Sequence, residues 1–87
     1  AVWIWGAGRK TRKRVEVLRS YGVEIMGYID LKAKITPKWK CIYFESISKK
    51  EQPFIISFVS NRGVREQIRQ YLLAKQYQEL KEFIIAS

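Results

Sequence analysis

Gly6-Ala7-Gly8-Arg9-Lys10-Thr11 is the segment of this sequence best equipped for chemistry. Two glycines one residue apart, directly after an apolar run, let a backbone turn tightly and bring its amides close to a phosphate. A helix starting at the same point adds free N–H groups and the positive end of its dipole. Asp30 lies 22 residues beyond Gly8, about where dinucleotide-binding folds place an acid that accepts hydrogen bonds from a ribose. Ser60-Asn61-Arg62-Gly63 follows another apolar run, with Asn61 suited to cap a helix and Arg62 able to pair with a phosphate. The candidate binding set is therefore Gly6, Ala7, Gly8, Arg9, Lys10, Asp30, Asn61 and Arg62. The competing reading makes the glycines a plain turn, Asp30 a strand end and Asn61 only a cap.

Thr11 stands where a dinucleotide fingerprint has its third glycine, and its side chain is expected to widen the gap between helix and strand. A mononucleotide is therefore favoured over a dinucleotide. Arg9, Lys10, Arg12, Lys13 and Arg14 crowd five positive charges into one helix start with no acid before Glu16. Cations there oppose the helix dipole, and a bound anion would relieve the conflict. Arg12, Lys13 and Arg14 are expected to point into water or meet an acidic surface, and Arg9 and Lys10 to face the ligand.

The chain has no histidine, and Cys41 is its only cysteine. That removes the commonest general base and metal ligand, a disulfide framework and a thiolate zinc site. Cys41 reads as a buried small hydrophobe, since no histidine exists to activate it. No catalytic set and no metal site is expected. Seventeen Lys and Arg against eight Asp and Glu give a net charge of +9, which favours an anionic partner.

The elements that position these residues follow from hydrophobic period. Val2 to Trp5 is a continuous apolar run, as in a central parallel strand covered on both faces. Lys10 to Tyr21 has helical spacing at Thr11, Val15, Leu18 and Tyr21 and stops at Gly22. Val23 to Ile29 is a second strand closed by Asp30. Lys32 to Lys40, broken by Pro37, reads as a loop or a very short helix. Cys41 to Phe44 and Pro53 to Val59 are further strands. Val64, Ile68, Tyr71, Leu72 and Lys75 form a second helix with Ser60 or Asn61 at its cap, and Phe83 to Ala86 closes the chain as a strand. Trp3, Trp5 and Tyr28 belong to the core, and Trp39, among Lys34, Lys38 and Lys40, is the candidate surface aromatic.

Strands alternating with helices require a parallel sheet, so the order β-α-β-β-α-β predicts an α/β protein: a small Rossmann-like half-fold with four to five parallel strands flanked by helices. Its 87 residues, 47% of them hydrophobic, suffice for one core and one domain. No apolar run is long enough for a transmembrane helix. An opening at Ala1 that runs directly into a strand suggests a fragment of a longer protein.

Trp3 to Gly8, the helix ending at Tyr21-Gly22 and Ile25 to Asp30 together resemble a small Rossmann-like module of bacterial sugar metabolism. One branch is the nucleotide-sugar-binding N-terminal domain of sugar acyltransferases, which carries a histidine where Arg9 and Lys10 stand here. The other, to which Gly6 to Thr11, Ser60 to Gly63 and Phe83 to Ala86 are also similar, is the C-terminal accessory domain of bacterial family-2-type glycosyltransferases. The resemblance implies a cytoplasmic domain that binds a nucleotide or nucleotide sugar as its ligand, with Gly6, Gly8 and Asp30 matching the binding pattern. The implied partners are that small molecule and the parent protein's catalytic domain. A basic nucleic-acid-binding module and a ligand-free docking domain rank behind this reading.

Overall fold

A computed structural model describes residues 1–35 and 38–86 of the chain. Its elements are β1 (Val2–Trp5), α1 (Arg9–Ser20), β2 (Ile25–Asp30), β3 (Lys34–Ile35), β4 (Lys40–Tyr43), a 3₁₀ turn over Phe44–Ser46, β5 (Ile55–Ser57), α2 (Arg62–Ala74) and β6 (Phe83–Ile85). The sheet order is β3-β4-β2-β1-β5-β6. Every neighbouring pair is parallel except β3 with β4. This is the expected α/β arrangement of five parallel strands and two helices, with one correction. Part of the segment read as loop or short helix is a two-residue antiparallel strand at the margin, while Pro37 lies outside the described residues.

β1 is central, with β2 on one side and β5 on the other. From β1 the chain moves outward through β2 to β4, then returns to β5 and continues outward to β6. The direction therefore reverses between β1 and β5, and in open parallel sheets the crevice outside the carboxyl ends at such a reversal is where ligands bind. Register keeps those ends level: Trp5 pairs with Ile29 and Ser57, and Asp30 with Tyr43.

The continuous apolar runs are explained by burial on both faces. Alternate residues of the strands enter two separate cores. Trp3, Trp5, Ile29, Ile55 and Phe83 pack with Ile68, Leu72 and Tyr77 on the α2 side. Ile4, Tyr28, Cys41 and Ile56 pack with Ala7 and Val15 on the α1 side. Trp3, Trp5, Tyr28 and Cys41 are thus core residues, as their strand positions predict.

Candidate functional site

The turn between β1 and α1 is fixed from three directions. Gly6 has φ of +115°, a conformation that side-chain-bearing residues rarely adopt, and its N–H donates to the Ile29 carbonyl at 2.8 Å. The N–H of buried Ala7 donates to Oδ2 of Asp30 at 2.9 Å. Arg12 folds back from α1 and donates from Nη1 to the Ala7 carbonyl at 2.5 Å. Thr11 sits over the turn, with Oγ1 3.5 Å from where a Gly6 side chain would begin.

The binding set divides accordingly. Gly6 and Ala7 have their N–H groups engaged within the protein, so they shape the turn and do not offer donors to a ligand. Asp30 is a clasp as well as a candidate ribose acceptor: its Oδ1 also accepts from the Leu31 N–H at 2.7 Å. Arg12 is half-buried, and its guanidinium holds the turn through the Ala7 carbonyl while its remaining surface stays open to water.

From Gly8 onward the turn is open. Gly8 is the N-cap of α1, with φ −67° and ψ 162°, and α1 has no side-chain cap and no acid in its first turn. A Cβ on Gly8 would meet nothing within 4 Å. Neither backbone conformation nor packing calls for glycine here. The N–H groups of Arg9, Lys10 and Thr11 lie in the first turn, where an α-helix has no carbonyl of its own to offer. The Arg9 and Lys10 side chains are exposed, and among the described residues neither has a carboxylate within 4.0 Å.

Beside this turn, outside the carboxyl ends of β1, β2 and β4, lies an apolar cleft of about 320 Å³. Its aromatic walls are Trp5, Phe44 and Tyr71, which meet mostly edge to face: Trp5 and Tyr71 are 5.9 Å apart at 83°, and Phe44 and Tyr71 5.2 Å apart at 64°. Asp30 and Gln67 supply its polar groups. Asp30 therefore joins the two halves, binding the turn at Ala7 and lining the cleft.

The second expected lip is placed differently. The Asn61 Oδ1 accepts from the Val64 N–H at 3.1 Å, so Asn61 caps α2. Arg62 does not line the cleft and instead borders a hollow with Arg65, Glu66 and Arg69. The chain after β5 does return to the turn, because Val59 Cγ2 comes 3.5 Å from a Cβ built at Gly6. That approach is apolar.

Trp39 is half-buried, its ring 5.4 Å from Tyr28 and beneath the Arg12 guanidinium at 4.6 Å. The Cys41 thiol is buried and donates to the Lys32 carbonyl at 3.4 Å. Among the described residues no three His, Cys, Asp or Glu side chains converge as metal ligands. No helix among them is long and apolar enough to cross a membrane.

Phe44, Gln67 and Tyr71 escape a reading of sequence alone. Tyr71 belongs to the apolar stripe of α2 and is indistinguishable there from core. Gln67 shows only as a polar residue one position before Ile68, and Phe44 as a strand end. Compared with protein-family models, curated proteins and solved structures, the chain matches none of them.

Proposed function

We propose that this chain is a cytoplasmic binding domain for a nucleotide or nucleotide sugar, acting as an accessory domain of a bacterial glycosyltransferase. A phosphate sits over Gly8, held by the first-turn N–H groups of α1 and by the Arg9 and Lys10 side chains. The base or sugar enters the apolar cleft between Trp5, Phe44 and Tyr71. Asp30 takes a ribose hydroxyl: a carboxylate has about four acceptor positions, and the Ala7 and Leu31 N–H groups occupy two. The domain binds and does not transform its ligand.

One observation carries this reading: Gly8 opens an uncapped, cation-rich helix into free space although neither its φ nor its packing needs a glycine. Asp30 ties that opening to a cleft of suitable polarity. The sequence resemblance adds the sugar-nucleotide context.

The test is titration with uridine and adenine nucleotides and a uridine-diphosphate sugar, followed by backbone amide shifts. Gly8, Arg9, Lys10 and Asp30 are expected to move together. Gly8→Asp puts a carboxylate in the phosphate position, where it caps α1. It should raise stability by about 0.5 to 1 kcal/mol while abolishing these shifts. Unmoved amides from Gly8 to Lys10 at millimolar ligand would end the proposal.

A further inference from the structure

The α1 face carries a second feature that the nucleotide reading does not use. A groove of about 410 Å³ runs between α1 and the 38–39 segment, bordered by Arg9, Arg12, Lys13, Arg19 and Lys38 around a floor of Tyr28 and Trp39. Among the described residues its acid is Glu16, already paired with Arg19 at 2.5 Å. Five cations against one carboxylate repel one another across a concave wall, and such a wall concentrates positive potential.

Three properties limit what fits. Arg9 to Arg19 spans about 15 Å of helix, so the cations form a strip and not a point. Three of the five are arginines, whose planar guanidinium matches a phosphate bidentately. Tyr28 is buried, but the half-buried Trp39 lies beneath the Arg12 guanidinium at 4.6 Å, so an aromatic ring and a planar cation are stacked together in the groove, suiting a partner that brings planar rings and anions together. A lipid surface requires the opposite relief, with apolar groups protruding beyond the cations.

We infer that this groove binds single-stranded nucleic acid, with its phosphodiester backbone along α1 and its bases toward Trp39. Arg9 is the only residue shared with the proposed nucleotide site, so the two can be tested apart.

Binding of a fluorescein-labelled oligothymidylate is followed by anisotropy. If about four phosphates are neutralised, a single-strand salt slope near −2.8 weakens binding about 50-fold between about 50 and 200 mM salt. Lys13→Glu combined with Lys38→Glu, both on exposed side chains, should weaken binding at least about 10-fold with an unchanged circular dichroism melt. Gly8→Asp should leave it intact. Undiminished binding by the double variant overturns the inference, as does a salt-independent affinity. Loss with Gly8→Asp alone would assign the oligonucleotide to the nucleotide turn and also overturn it. Phosphatidylserine vesicles are the control: binding to them but not to the oligonucleotide would identify a membrane surface instead.

Discussion

The two helices occupy equivalent places, each leaving a central strand at the same edge of the sheet, yet they resolve their charges in opposite ways. α2 supplies its own cap. Asn61 caps its first turn, and Arg69 is shared between Glu66 and Glu79. α1 lacks the cap: its N-cap is a bare glycine, and among the described residues its leading cations have no acidic partner within 4.0 Å and its ion pair, Glu16 with Arg19, lies near the other end. Both helices lack an acid in the first turn, so the dipole conflict is common to both and the compensation is not. A helix that leaves its own start uncompensated is where an external anion has most to contribute.

Two buried tyrosines read out the same contrast, one in each core. Burial pushes the Tyr77 phenol up to about 12, and Glu82 adds to the rise; its hydroxyl donates to the Gln52 carbonyl at 2.8 Å. Burial also raises Tyr28, and there Arg19 and Arg12 pull against the rise while Glu16 adds to it. Both folded values lie above the unfolded one, so the stability they confer is complete below about pH 10 and is lost as the pH climbs toward 12. Thermal melts between pH 9 and 12 should show the largest loss of any test described here, ending in unfolding. Phenolate absorbance should place Tyr28 ahead of Tyr77. If Tyr77 ionised first, the α1 face would not have the positive potential assigned to it.

The capping difference predicts a smaller effect. Asn61→Ala removes the acceptor for the Val64 N–H and should cost about 1 kcal/mol, or roughly 4 to 8 °C in melting temperature for a domain of this size. Scanning calorimetry measures it directly. A cost near zero would mean that α2, like α1, does without its cap, and the contrast between the helices would lose one of its supports.

Much of the frame is legible in the sequence because the strands are apolar on both faces and the helices on one. The Pro53 to Val59 run nevertheless yields a strand of only Ile55–Ser57. Its flanks still bond to β1, Phe54 through its carbonyl to the Trp3 N–H and Phe58 through its N–H to the Trp5 carbonyl. They therefore need the same apolar, β-prone residues as the strand itself. At the site, Gly8, Arg9 and Lys10 are exposed and beside the turn as their spacing suggests. The double use of Asp30 and the return of Arg12 are not legible, because a hydrogen bond across 23 residues, or a guanidinium reaching back to its own loop, leaves no period in the sequence. The cleft is hidden for a related reason: an apolar wall facing a void has the composition of one facing a core.

The helix ends give the finest comparison. α1 closes with Gly22 at φ +88°, donating to the Arg19 carbonyl, while Val23 donates to that of Leu18. α2 closes with the same pair of bonds, Gln76 to Leu73 and Tyr77 to Leu72, but Gln76 holds the left-handed position at φ +68°. A left-handed residue with a side chain costs about 1 kcal/mol, and the greater freedom of glycine in the unfolded chain offsets part of any gain from removing it. Gln76→Gly should therefore stabilise the protein by about 0.5 kcal/mol, or about 2 to 4 °C. The Gln76 carbonyl that accepts from Lys49 at 2.9 Å is backbone and survives the change. Chemical denaturation at neutral pH resolves a difference of this size as a shifted midpoint with an unchanged slope. A loss of stability instead would show that the Gln76 side chain contributes more to this helix end than its backbone strain removes.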